Sequence, residues 1–322
     1  MLSNLLAALF SMLKSSHRVT GRTWTEELLT RVNRSILSDA LKQHSMGKEY
    51  KGEDALPFHP SIKKIAQTNT SIAGIRCTVV EPKRVESKSA KEVTQVILYL
   101  HGGGYTMGSA KMYLGLIAEL AVNSHARVIA PDYGLAPKHV YPAAYEDCLA
   151  VAKEVINMYA DLPIAIVGDS AGGALAIAVA LHLSKSSLPK PKPQDISLVL
   201  LSPWVEPTAE SGSMKDNLAY DIFDDAFLYP SYARYIADGD PYNHHSNFVD
   251  VDLSGLPTTY VQYGAAELFY DQIKDFSNRA RAQGVDLNEE AFSAQPHIFQ
   301  VMSPFTATAR QAMRKIAEFI NH

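Results

Sequence analysis

The segment Gly168-Asp169-Ser170-Ala171-Gly172-Gly173 constrains this chain most. It follows the apolar run Ile164-Ala165-Ile166-Val167 and precedes Ala174-Leu175-Ala176-Ile177-Ala178-Val179-Ala180. That order predicts a strand, a sharp turn and a helix, with a serine at the apex. The pattern Gly-x-Ser-x-Gly in this setting is a nucleophile elbow. A strand that reverses directly into a helix leaves no room for Cβ atoms two residues either side of the serine. The turn is expected to hold Ser170 at strained φ and ψ, its hydroxyl raised above a sheet at the positive end of a helix.

The rest of the chain repeats the same alternation. Apolar runs predict strands over 93–100, 127–131, 164–167, 196–201, 259–263 and 287–292, and helical spacing predicts helices over 113–122, 143–159, 174–184, 272–283 and 304–320. Continuously apolar strands alternating with helices imply an α/β fold: a mostly parallel central sheet covered by helices on both faces. Residues 69–81 carry β-branched side chains at Thr70, Ile72, Ile75, Thr78, Val79 and Val80, and 82–92 and 184–193 read as solvent loops. The first fifty residues hold helical periodicity and no strand. Leu28, Leu29, Val32, Ile36 and Leu37 mark a helix over 24–44, with Thr23 or Thr25 as its cap. Leu2, Leu5, Leu6, Leu9 and Leu13 mark a short amphipathic helix. No Lys or Arg precedes Lys14, and the apolar run is too short for a bilayer, so neither a signal peptide nor a span is expected. Contact with a membrane surface is the lesser alternative. One segment breaks the alternation: residues 203–254 carry no strand signal but many aromatics and acids, and an insertion there lies over the carboxyl ends of the strands, where such folds bind ligands.

A single domain of 322 residues is long but ordinary for this fold class. The net charge is −4 with no basic block, which argues against nucleic acid as a partner. Two cysteines, Cys77 and Cys148, imply no disulfide framework and fit a reducing, cytoplasmic setting.

A serine is a poor nucleophile without a base, a group to orient that base, and donors for an oxyanion. The strand ending at Leu100 runs into His101-Gly102-Gly103-Gly104, a turn that offers backbone N–H groups. Gly103, Gly104 and Ala171 are therefore the candidate oxyanion donors, and His101 is expected to hold the loop. The base should come late in the chain, because this arrangement runs nucleophile, acid, histidine. His297 stands just past the last strand. The acid should follow the strand before it, where Glu267 and Asp271 both qualify by location. Paired Cys/His spacing and His-Glu-x-x-His are missing from the sequence, so no metal or other cofactor is expected.

Four blocks carry a resemblance: HGGGY at 101–105, DYGLAPKHVYPAAYED at 132–147, GDSAGG at 168–173, and GLPTTYVQYGAAEL through PHIF between 255 and 299. Together they resemble the hormone-sensitive lipase family of α/β-hydrolase esterases. Gly134 and Lys138 stand where that family usually has arginine and glutamate. The resemblance implies an α/β-hydrolase fold with a helical cap, made here from residues 1–50 and 206–254. It implies Ser170 as nucleophile and His297 as base. The family's acid motif is Asp-Pro-Leu-x-Asp; Glu267 holds the first aspartate's place and Asp271 the second. Glu267 is the preferred acid, and Asp271 the less favoured one. Tyr105, Asp169, Trp204 and Ile298 adjoin these blocks and are the candidate substrate contacts. The activity implied is hydrolysis of short- to medium-chain carboxylic esters through an acyl-enzyme, with no cofactor, in a monomer or homodimer. A deacetylase of bulky alcohols or arylacetamides is an alternative. So is a non-catalytic small-molecule receptor on the same fold, although the related receptors lack the histidine.

Overall fold

Among the described residues, eight runs form strands: β1 (Ile65–Ile72), β2 (Ile75–Pro82), β3 (Val96–Leu100), β4 (Arg127–Pro131), β5 (Ile164–Asp169), β6 (Ile196–Leu201), β7 (Thr259–Gly264) and β8 (Leu287–Phe292). In the computed structural model they make one sheet in the order β1-β2-β4-β3-β5-β6-β7-β8. The structure describes residues 8, 19–45, 59–83, 93–185, 196–210, 212–223 and 225–322. The expected helix over 2–13 and most of the 82–92 and 184–193 loops lie outside the described residues.

The strands from β3 to β8 pair in parallel, and β1 and β2 add an antiparallel edge. The β-branched run expected over 69–81 is two strands, not one. It turns at Ala73-Gly74, both at positive φ (52° and 82°), with Ile72 paired to Ile75. A two-residue loop with φ positive at both positions matches the right-handed twist of the strands it joins. The first strand was illegible because its middle six residues are exposed and polar or small.

The middle of the sheet is apolar on both sides, as parallel strands require. All five residues of β3 are buried. Val96, Leu98 and Leu100 face one layer, which holds helices α3 (Ala143–Met158) and α4 (Ala171–Lys185). Ile97 and Tyr99 face the other, which holds helix α2 (Leu114–Ser124) and helix α8 (Ala307–Ile320). Each large side chain so buried contributes about 1.5–3 kcal/mol. Helix α8 begins three residues later than its apolar spacing suggests. Thr306 caps it, its hydroxyl accepting from the Ala309 N–H at 3.3 Å.

Outside the sheet, helix α1 (Trp24–Ser45) starts with a capping box. The Thr23 N–H and hydroxyl donate to Glu26 Oε2 at 2.9 and 2.8 Å, and Thr23 Oγ1 accepts from the Glu26 N–H at 3.2 Å. The insertion contributes α5 (Ser213–Asp216) and α6 (Asp225–Ile236), and no strand among the described residues. Helix α7 (Tyr270–Ala282) links β7 to β8.

The elbow is tighter than its sequence pattern requires. β5 ends at Asp169 and α4 begins at Ala171, so Ser170 alone makes the turn. A Cβ on Gly168 would lie 2.2 Å from the Gly172 carbonyl oxygen, and one on Gly172 would lie 2.1 Å from Leu100 O. Gly172→Ala must therefore push α4 away from the end of β3. Overpacking of this kind costs about 1–3 kcal/mol. The expected outcome is a lower urea midpoint with an unchanged m-value, and a loss of activity larger than the loss of stability explains.

Candidate active site

The candidate nucleophile, base and preferred acid all follow the carboxyl ends of strands. Ser170 follows β5 with φ at 51°. A non-glycine residue held there costs on the order of 1–3 kcal/mol, so the neighbours must fix it. They do: the Ser170 N–H donates to Leu201 O at 2.9 Å, and Ser170 O accepts from Trp204 N at 3.0 Å.

The preceding residue holds the oxyanion loop. Asp169 is fully buried, and its Oδ1 accepts from the Tyr99 hydroxyl at 2.6 Å and from Gly102 N at 2.9 Å. Burial pushes this carboxyl up to about 7, against the pull of the Tyr99 hydroxyl and the Gly102 N–H. Gly103 has φ at 114°, and a Cβ there would meet Met107 O at 2.2 Å. Its carbonyl accepts from Thr106 N and Met107 N at 3.2 and 3.1 Å, which folds the loop back on itself. The Gly103 and Gly104 N–H groups donate to no acceptor among the described residues. Ala171 opens α4, where the first N–H groups of a helix have no partner within it. His101 is a loop-holding residue, as its position implies. Its Nδ1 lies 2.8 Å from Gly102 O and its ring stacks on Tyr133 at 4.3 Å.

The candidate acid and base come from the two loops after β7 and β8. Glu267 is fully buried. Its Oε2 accepts from Ser202 Oγ at 2.7 Å and Gly264 N at 2.8 Å, while Oε1 lies 3.5 Å from His297 Nδ1. Neither ring nitrogen of His297 makes a hydrogen bond among the described residues. The ring is boxed by Phe223 at 4.5 Å and Phe269 at 4.9 Å, both edge-on. Burial drives both partners toward their uncharged forms. It raises Glu267 to about 8, opposed by the Ser202 hydroxyl and Gly264 N–H, and lowers His297 to about 4, opposed by the charge of Asp221. An uncharged imidazole is the form that takes a proton from a serine.

Asp271 is elsewhere. It is exposed at the start of α7 and its Oδ2 accepts from Ser213 N at 2.7 Å, which caps the short α5. Two residues of this site were not singled out from the sequence. Ser202 joins Glu267 to the histidine loop, donating to Glu267 and accepting from Ile298 N at 3.2 Å. Asp221 accepts from His297 N at 2.8 Å and Leu268 N at 2.7 Å. Its only sequence signal was membership of an acid-rich insertion.

Ser170 and His297 open on one cavity of about 160 Å³. Its wall is apolar. The insertion gives Ile222, Phe223 and Phe227, α1 gives Ile36 and Leu37 beside Asn33, and the oxyanion loop gives Gly103, Gly104 and Met107. Of the four expected substrate contacts, Ile298 lines this cavity. The other three do not line it. Tyr105 is buried against Tyr235 at 3.9 Å, Trp204 is buried between Tyr105 and Phe269, and Asp169 is spent on Gly102. Large rings beside a site pack into the core behind it unless the backbone turns them outward.

Residues 97–301 match the family model described as the alpha/beta hydrolase fold. An esterase of Acinetobacter venetianus is 32% identical over 240 residues, 73% of this chain and 77% of that one. An acetyl-hydrolase of Streptomyces hygroscopicus is 28% identical over 235 residues, 72% of this chain and 77% of that one. Among solved structures, an esterase from the bacterial hormone-sensitive lipase family is similar with a TM-score of 0.76 and 26% identity, covering 99% of this chain and 97% of its own. The chain belongs to the hormone-sensitive lipase family of α/β-hydrolase esterases. It is a carboxylic-ester hydrolase.

The two candidate acids separate experimentally. Glu267→Gln keeps the shape but removes the carboxyl group that can ionise as the imidazolium forms on His297, and kcat should fall on the order of 10³-fold or more. The acid limb of the remaining activity should move to lower pH, because a carboxylate that favours imidazolium is gone. Asp271→Asn should leave kcat within about threefold, losing at most a helix cap. Steady-state rates across pH check both.

Proposed function

We propose that Ser170, His297 and Glu267 are the triad by which this hydrolase works, and that its substrates are esters of short- to medium-chain acids. The observation that carries the reading is the single apolar cavity onto which Ser170, His297, Gly103 and Gly104 all open. His297 Nε2 takes the hydroxyl proton as Ser170 attacks the ester carbonyl. The N–H groups of Gly103, Gly104 and Ala171 stabilise the oxyanion. Glu267 holds Nδ1 and steadies the imidazolium. His297 then gives the proton to the leaving alcohol, and water repeats the cycle on the acyl-serine. The 206–254 insertion and α1 form the cap, since both supply wall to the cavity.

The substrate range follows from the lining. Each methylene moved from water to an apolar wall is worth about 0.8 kcal/mol, or roughly fourfold in kcat/KM. Across p-nitrophenyl esters, kcat/KM should climb by about that factor per methylene from acetate to butyrate or hexanoate. It should level off once the cavity is filled. Ser170→Ala should hydrolyse none of the series above background. A fully active alanine variant ends the proposal, and a series that peaks at acetate assigns the enzyme to acetyl esters instead. Phe223→Ala and Leu37→Ala, which widen the wall, should move the maximum to longer chains.

A further inference from the structure

Among the described residues, Asp221 is the one carboxylate of the insertion that bonds to the His297 and Glu267 loops. It is buried to 1% exposure. Its Oδ1 accepts from His297 N at 2.8 Å and from its own neighbour Ile222 N at 2.7 Å. Its Oδ2 accepts from Leu268 N at 2.7 Å. Leu268 follows Glu267, so a single side chain grips the residue after the acid and the base itself. The next residues, Ile222 and Phe223, form cavity wall, and Phe223 touches the imidazole.

We propose that Asp221 is a positioning residue for the reaction: it sets the His297 and Glu267 loops in register and lends its charge to the imidazolium that forms on His297 during turnover. The proposal rests on the triad reading above. Three N–H donors converge on two oxygens, and charge-assisted bonds of this kind are about twice as strong as neutral ones. They offset much of the cost of burying the charge. An asparagine in its place turns an N–H₂ toward one of the three donors, and it carries no charge. The charged groups around this point come from four segments. Glu267 faces His297 Nδ1. Asp221 acts on the ring from the insertion. Arg22, ahead of α1, attracts Asp221 while donating to Ala294 O at 2.6 Å and Glu27 at 3.2 Å. Glu26 in the first turn of α1 is held by Thr23. Burial raises the Asp221 carboxyl, and the imidazole and the two loop N–H groups oppose that rise.

The test measures kcat, KM and the pH profile of p-nitrophenyl butyrate hydrolysis for Asp221→Asn and Asp221→Glu. Rates are expressed per reactive serine, counted by endpoint titration with a p-nitrophenyl organophosphate, so unfolded protein does not enter the result. In Asp221→Asn, kcat per site should fall about 100-fold, the size expected for a misplacement of about 1 Å. KM should stay within about threefold, and the acid limb should move to lower pH. In Asp221→Glu the charge remains but the oxygens are displaced, so kcat per site should fall at least tenfold while the acid limb keeps its wild-type position. A kcat per site within threefold of wild type in Asp221→Asn, or an unmoved acid limb, overturns the proposal. Should that variant yield no titratable serine, wild-type kcat in Asp221→Glu overturns it. Ser170→Ala separates the two readings. If it is inert while the Asp221 variants behave as wild type, only the positioning role falls; if it is active, the triad falls first.

Discussion

The contact that organises this site is backbone on backbone. Gly172, in the first turn of α4, lies so close to the last carbonyls of β3 that no side chain fits between them. Leu100 also pairs with Gly168 across the sheet. The Ser170 turn and the glycine loop after β3 are therefore fixed to each other by the sheet and by close packing. Asp169 adds a side-chain tie to the same pair. A strained serine survives there because strand pairing, helix packing and a buried carboxylate all determine its place.

The site uses carboxylates chiefly to hold backbone N–H groups. Asp169 holds Gly102, Glu267 holds Gly264, and Asp221 holds Leu268 and His297. Loops at the ends of parallel strands cannot use the ladder hydrogen bonds that stop with the strand, and buried N–H groups must be paired. A buried carboxylate meets several at once. The cost is desolvation, which is visible in the upward drift of all three.

The sheet and its elbow were legible because both are written locally. Apolar runs of five or six residues define β3 to β7, and Gly168, Ser170 and Gly172 define a turn of one residue. Their steric reason was readable before any coordinate. The order of elements also placed His297 and Glu267, since each follows a strand. What stayed hidden depends on contacts across long sequence gaps. Asp221 reaches His297 across 76 residues and Ser202 reaches Glu267 across 65, and neither distance leaves a mark on neighbouring residues. Tyr105 and Trp204 adjoin the key motifs in sequence but point into the core. The polar β1 was missed because an exposed edge strand has no apolar alternation to read.

The N-terminal helix has a consequence beyond its share of the cavity wall. Arg34 on α1 donates to the Leu218 and Asp221 carbonyls, while Arg22 just ahead of it donates to Ala294, three residues before His297. The serine and oxyanion loop are anchored in the middle of the sheet, whereas the histidine loop hangs from its edge and is braced from outside by this clasp. The two halves of the candidate site thus answer to different foundations. The same helix therefore walls the cavity and, through these two arginines, ties the insertion and the loop that carries His297 to one support.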